Sequence, residues 1–177
     1  GGSILIYTSG GELQMYFCIV ARNKGVFGGA VLAYGTSSIN VKVTIEGSVL
    51  ENNDAAGEYG GAMYISDGTA TVTSTTFTSN TATSGGGMYI LGRSTDTTTM
   101  RQCSFTSNTA SSQGHSIRTY SSSTIAVINT YIPDTTNSIY VNTNGGSPTW
   151  KTCSSNVCTN APFTGTCSAV NSSNTKL

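Results

Sequence analysis

A glycine pair followed by a short apolar run recurs along this chain. It reads "GGSILIY" from Gly1, "GGAVLAY" from Gly28, "GGAMYIS" from Gly60 and "GGGMYIL" from Gly85. A degenerate fifth copy, "QGHSIRTY", starts at Gln113, and the spacings are 27, 32, 25 and 28 residues. A unit of this length cannot bury a face alone, so such repeats stack on one another as a solenoid.

The segments before the glycine pairs align as well. Val20, Leu50, Phe77 and Phe105 form one apolar column, and each is followed three residues later by Asn23, Asn53, Asn80 or Asn108. Five residues before that column stand Met15, Ile45, Val72 and Met100, and two further back Leu13, Val43, Ala70 and Thr98. The residues between them, Gln14, Thr44, Thr71 and Thr99, are polar. Apolar and polar positions thus alternate with period two, the pattern of a strand with one buried face. No window carries the three- and four-residue spacing of a helix. Each unit therefore holds about three short strands joined by bends.

These features predict an all-β chain: a right-handed parallel β-helix of about five coils over residues 1–142, the hand following from the usual crossover rule. The core is expected to be a column of Phe, Met, Ile and Val. The asparagines are expected at left-handed bends, their stacked amides bonding coil to coil as a structural ladder. The glycine pair is expected to give a tight turn and close approach, with small Ala82 and Ala110 inside a corner. After Thr119 the pattern decays, although Val127 and Ile132 keep their columns and residues 137–141 read as one more strand.

Only 9% of the 177 residues are charged, against roughly 25% in an ordinary domain. Eight basic residues face eight acidic ones, a net charge of zero. That gives no electrostatic footprint for nucleic acid, and no apolar run is long enough to insert in a membrane. The chain opens inside a unit, without Met or a basic leader, and is expected to be a mature product or an excised segment.

The pairing of "GGA-M-Y-I" with "F-x-x-N-x-A" resembles the repeats of the chlamydial polymorphic outer membrane proteins, which also occur in large secreted proteins of protists and algae. The resemblance spans Gly1 to Gly114 and is densest from Gly60 onward. It implies a right-handed parallel β-helix acting as a surface adhesin, with no catalytic residues. A translocator barrel like that of the bacterial members is not expected, and the Cys-rich tail leans toward a eukaryotic secreted source.

Residues 143–177 form that tail, with Cys153, Cys158 and Cys167 near Trp150 and Phe163. An oxidising setting makes a disulfide-stapled cap over the solenoid end the expected role, and the sequon at Asn171 is a candidate glycosylation site. Cys18 and Cys103 share a column three coils apart, about 14 Å at the strand spacing. That exceeds the reach of a disulfide, so both are expected to be buried free thiols acting as small hydrophobes.

Enzymes built on β-helices need converging carboxylates. Glu51, Asp54 and Glu58 crowd one insertion, and His115 stands near Arg118, but neither group has the partners of a catalytic or metal motif. Flat threonine rows would suit ice binding, but Thr44, Thr71 and Thr99 end at Gln14, and Thr69 and Thr97 meet Lys42. The sequence therefore points to a structural, non-enzymatic secreted or cell-surface protein without a cofactor. Head-to-tail self-association into fibres is the expected partnership, and glycans are possible partners or adducts. Polysaccharide binding or cleavage is the alternative.

Overall fold

The computed structural model describes residues 2–7, 10–36, 38–121, 123–132, 139–142, 149–154, 157–162 and 166–167. Its first coil is β1 (Ile4–Tyr7), β2 (Glu12–Tyr16) and β3 (Ile19–Ala21). The second is β4 (Val31–Tyr34), β5 (Val41–Glu46) and β6 (Val49–Glu51). The third is β7 (Met63–Ser66), β8 (Gly68–Thr73) and β9 (Thr76–Thr78), followed by β10 (Thr81–Ser84). The fourth is β11 (Met88–Gly92), β12 (Thr97–Arg101) and β13 (Ser104–Thr106), followed by β14 (Thr109–Gln113). Beyond it run β15 (Ile117–Ser121), β16 (Thr124–Ile128), β17 (Ile139–Asn142), β18 (Thr149–Ser154), β19 (Val157–Pro162) and β20 (Thr166–Cys167).

Like strands stack on like in parallel. The first sheet runs β1-β4-β7-β11-β15-β17, the second β2-β5-β8-β12-β16-β18 and the third β3-β6-β9-β13, while β10 pairs with β14. The molecule is thus an all-β parallel solenoid. Four coils present all three sheets, one fewer than the repeat count suggests, and further turns extend the first two sheets alone. The chain then reverses: β19 pairs antiparallel with β18, and β20 antiparallel with β17. Among the described residues no helix is long and apolar enough to cross a membrane.

The inward columns follow the alternation of the sequence. Met15, Ile45, Val72 and Met100 are register partners in the second sheet, as are Leu13, Val43, Ala70 and Thr98. Val20, Leu50, Phe77 and Phe105 are partners in the third. The Phe77 and Phe105 rings stack with centroids 4.6 Å apart and planes 2° from parallel. Met63, Met88 and Ile117 with Ile65 and Ile90 supply the first sheet's share of one continuous core.

The corners differ from the sequence expectation in one respect. The left-handed residue is the one before each asparagine: Arg22, Asn52, Ser79 and Ser107, with φ between 54° and 58°. The asparagines themselves face inward to the next coils. Asn80 Oδ1 accepts from the backbone N–H and the Nδ2 of Asn53, at 3.0 Å each. Asn80 Nδ2 donates to Leu50 O at 2.9 Å and to Asn108 Oδ1 at 2.9 Å. Asn53 treats Asn23 and Val20 in the same way. The amide therefore satisfies the backbone groups that the left-handed corner turns away from the sheet. A second left-handed column, Phe17, Gly47, Ser74, Gln102 and Asn129, precedes the third sheet.

A third corner uses the glycine pair. Gly28, Gly60, Gly85 and Gly114 have φ of 58°, 69°, 66° and 67°. The second glycines are required for another reason: a Cβ on Gly61 would lie 2.1 Å from Gly86 O in the next coil. Gly114, not Gln113, is therefore the equivalent of Gly85. A register shift between β10 and β14 inserts one residue there, pairing Ser84 with Gln113. The fifth unit keeps its left-handed glycine, and His115 replaces only the second one.

We expect Asn80→Ala to cost about 3 kcal/mol or more, because it strands two donors of Asn53 and the carbonyl of Leu50, while Asn108 Oδ1 keeps the backbone N–H of residue 80. Asn23→Ala, at the ladder's end, should cost about 1 kcal/mol. Urea titration of both variants checks the ranking. Equal losses would mean that the ladder adds nothing beyond filling the corner.

Candidate functional site

Alternation that buries Met63 and Ile65 turns Tyr64 outward, and the same holds in each coil of the first sheet. One outward column is Leu5, Leu32, Tyr64, Tyr89, Arg118 and Tyr140, and a second begins with Tyr7 and Tyr34. Phe27 and Tyr59, paired by an isolated bridge just before the glycine corner, stand on the other side. Outside the solenoid these side chains make a small core of their own. Leu32, Tyr64 and Tyr89 are buried, with Phe27, Tyr59, Leu91 and Tyr120 packed against them.

The rings stack along the solenoid axis. Tyr64 and Tyr89 have centroids 5.4 Å apart and planes 13° from parallel. Tyr59 lies 4.8 Å from Tyr89, Phe27 5.8 Å from Tyr59, and Phe27 5.4 Å from Tyr64. Tyr7 and Tyr34 stack at 5.4 Å. The Arg118 guanidinium sits 5.4 Å from the Tyr89 centroid and 5.5 Å from that of Tyr140, and donates to Ser84 Oγ at 2.5 Å. This cation–π stack closes the lower part of the stripe. Burial pushes the Tyr64 hydroxyl up to about 12, with the neighbouring Tyr89 adding to the shift and Ser66 opposing it.

Toward the first coils the stripe opens into a cleft of about 440 Å³ lined by Tyr7, Phe27, Leu32, Tyr34, Tyr59 and Tyr64. Leu32 and Tyr64 form its floor; Phe27 with Tyr59, and Tyr7 with Tyr34, form its walls. Its lining carries four phenol hydroxyls and no charged side chain. The sequence reading missed this site. The signal was there in nine tyrosines among 177 residues, several at outward positions of the glycine-led strands.

The acids go elsewhere. Asp54 pairs with Lys24 at 3.2 Å and accepts from the Ala56 N–H, so the stretch holding Glu51, Asp54 and Glu58, all three half-buried and the first still on β6, has its own contacts. Glu12 pairs with Lys42 at 3.0 Å. Among the described residues the buried carboxylate is Asp96, gripped by Arg93 from the backbone N–H and the guanidinium, with Asn40 beside it. Arg93 also reaches Asp67 at 3.4 Å. This clasp ties the corners of three successive coils. Among the described residues no group of three His, Cys, Asp or Glu is placed to hold a metal ion. His115 accepts the Ala110 N–H on Nδ1 at 2.9 Å. The threonines of the second sheet do align as Thr44-Thr71-Thr99, flanked by Gln14 and Ala126, and Thr97 pairs with Thr124 while Thr69 pairs with Lys42.

Cys18 and Cys103 have a role beyond that of small hydrophobes. They share a column with Ser48, Thr75 and Thr130. Ser48 Oγ accepts the Cys18 N–H, and Thr130 Oγ1 accepts the Cys103 N–H. Each side chain donates to the carbonyl two residues earlier: Cys18 to Tyr16, Ser48 to Glu46, Thr75 to Thr73, Cys103 to Arg101 and Thr130 to Ile128. The thiols stand in for hydroxyls in a second ladder. Both are free. Cys153 and Cys158 are register partners across the β18–β19 pair, and Cys167 is the partner of Ile139. The side chains of these three, and the Asn171 sequon, lie outside the described residues.

Comparison with protein-family models, with curated proteins and with solved structures returned no match.

Burial pushes the Cys103 thiol up to about 11, against the lowering effect of its bonds to Thr75, Arg101 and Thr130. An unfolded thiol ionises near 9.0, so the native state excludes a thiolate that the unfolded state accepts. The contribution is fully present below pH 9 and is lost as pH rises from 9 to 11, on the order of 2–3 kcal/mol. We expect Cys103→Thr to keep the ladder bond and flatten this alkaline decline, and Cys103→Val to lose the bond and destabilise at neutral pH. Thermal unfolding of the three proteins at pH 7 and pH 10.5 measures both effects.

Proposed function

We propose that this chain is a structural, non-enzymatic β-helix protein of the cell surface or the secreted fraction, a right-handed solenoid serving as a fibre subunit or an adhesin. The observation that carries this reading is how the side chains are used. Every repeated residue goes to packing, to a left-handed corner or to a coil-to-coil ladder, while the ion-paired carboxylates are held by cations: Asp54 by Lys24, Glu12 by Lys42, and Asp67 with Asp96 by a shared Arg93 that occupies both. Catalysis on a sugar needs two carboxyls facing one bond. The resemblance of the repeats to those of the chlamydial polymorphic outer membrane proteins supports the adhesin form of the proposal.

Self-association is supported by the first coil. Leu5, Tyr7, Tyr16, Phe17 and Ile19 are exposed there, Phe17 at 78% and Ile19 at 73%. Asn23 meets Asn53 only as a donor, through its backbone N–H and Nδ2 to Asn53 Oδ1. Copies stacked head to tail make a heterologous arrangement that does not close, and the zero net charge leaves no mutual repulsion to oppose it. Electron microscopy of concentrated protein should show rods, shortened by Phe17→Glu or Ile19→Lys. Monomers alone at micromolar concentration would overturn the fibre form.

The oxidised cap belongs to the same proposal. Partners across an antiparallel pair stand about 4.5–5.5 Å apart at Cα, inside disulfide reach, so Cys153–Cys158 is the favoured bond, with Cys167 left over. Peptide mapping without reductant should recover that linked pair, and finding all five thiols free would remove the staple from the proposal.

A second reading, polysaccharide binding without cleavage, is favoured by the aromatic cleft on the first sheet.

A further inference from the structure

We propose that the aromatic cleft over β1, β4 and β7 binds an uncharged, linear, equatorially linked polysaccharide that lies parallel to the solenoid axis, one sugar ring per coil. This rests on the polysaccharide-binding reading and not on fibre formation.

The direction follows from register. Tyr7 and Tyr34 are partners in adjacent parallel strands, and Phe27 and Tyr59 are partners in adjacent corners. Each wall is therefore a column along the axis, and the space between them is a trough in that direction. Its floor is Leu32 and Tyr64, again partners. Successive floor positions are one coil apart, about 4.8 Å, close to the length of a pyranose in an extended chain. A ligand whose own repeat matches the coil meets the same surroundings at each step.

The chemistry follows from the lining. Six residues give five rings and one leucine, with hydroxyls on Tyr7, Tyr34, Tyr59 and Tyr64. No acid, base or amide is among them, so an ionic polymer finds no counter-charge. An alkyl chain would fill the space but use none of the four phenol hydroxyls, so it matches only the apolar part of the lining. An added peptide strand needs backbone edges, and the backbone of β4 is already paired on both sides by β1 and β7. A sugar with equatorial hydroxyls presents C–H faces to the rings and its own hydroxyls to the phenols. Neutral aromatic surfaces with a few placed polar groups are what small-ligand sites are built from.

Occupancy ends where the trough fills. In the fourth and later coils the same columns carry Tyr89, Leu91, Arg118 and Tyr120, Leu91 and Tyr120 pack on the side core, and the Arg118 guanidinium lies over Tyr89 and Tyr140 in the floor column, so the neutral lining ends there. The site therefore spans two to three coils and holds two to three sugars, the inner end being the Tyr59–Tyr89 contact.

The test is affinity electrophoresis through gels carrying hydroxyethylcellulose, neutral xylan or polygalacturonate, with cellohexaose as a soluble competitor and decanoate as an aliphatic one. Tyr7 and Tyr34 are exposed, at 62% and 37%, so Tyr7→Ala and Tyr34→Ala leave the buried side core in place. Retardation is expected on a neutral gel, released by cellohexaose and weakened about tenfold, or about 1.4 kcal/mol, when both tyrosines are removed. Arg101→Ala, on the second sheet, is the control and should bind like the parent. Circular dichroism confirms that the variants fold. Retardation on polygalacturonate alone, competition by decanoate alone, no retardation on any gel, or retardation unchanged in the double variant would each overturn the proposal. Rods seen by microscopy in any of these cases would leave the fibre reading standing, and their absence beside sugar binding would remove the fibre alone.

Discussion

The structure depends on in-register stacking of corners. A parallel solenoid has no difficulty with its flat faces, where each strand finds the next one 4.8 Å away. Its difficulty is the bends, where the backbone leaves the sheet and its N–H and C=O groups lose their neighbours. Burying such groups unpaired costs about as much as the core gains from a buried side chain. This chain answers with side chains that imitate the missing backbone. The asparagine amide takes two donors from one neighbour and gives two to the groups on either side. The Cys, Ser and Thr column does the same with one acceptor and one donor per residue. Only the glycine corner works without a side chain, and there the next coil's carbonyl occupies the place of a Cβ.

These ladders explain which parts of the fold could be read in the sequence. Columns that demand one chemistry, such as Val20-Leu50-Phe77-Phe105 or the four asparagines, repeat as letters and align by eye. The left-handed residues do not. Arg22, Asn52, Ser79 and Ser107 share a backbone conformation and nothing else, because their side chains point to solvent and any residue tolerating φ near 55° will serve. The hydroxyl ladder is hidden for the opposite reason: Cys18, Ser48, Thr75, Cys103 and Thr130 share a small donor but not a name. The fifth unit was misaligned by one residue because the extra residue between Ala110 and Gln113 is absorbed in a register shift, which leaves no mark in composition.

The aromatic site was legible only in part. Alternation alone turns Tyr64 and Tyr89 outward. That they meet Phe27 and Tyr59 depends on the path of the corner before the glycine pair, which bridges coil to coil at Lys24-Asp54 and Phe27-Tyr59. The two residues inserted in the second unit between Asp54 and Tyr59 leave this path intact: Tyr59 keeps the position of Phe27 and meets Tyr89 in the next coil.

Low charge and the outward aromatic stripe are two sides of one constraint. Stacked coils bring equivalent residues within one strand spacing of each other, so a charged column would repel itself along its whole length. A solenoid with identical repeats must therefore fill its outward columns with side chains that attract their own kind, or alternate the sign. Both solutions appear: Glu12 faces Lys42 and Asp54 faces Lys24, while threonines stack on threonines and tyrosines on tyrosines. Tyrosine meets the requirement with a face that stacks and a hydroxyl that stays wet. Where Arg118 enters the tyrosine column it is flanked by rings and not by another cation, which is the arrangement that lets one charge sit in a stack without a counter-ion. The repeat that builds the core thus also builds a neutral, ring-lined trough on its surface, and any ligand of this face must be selected by shape and stacking rather than by charge.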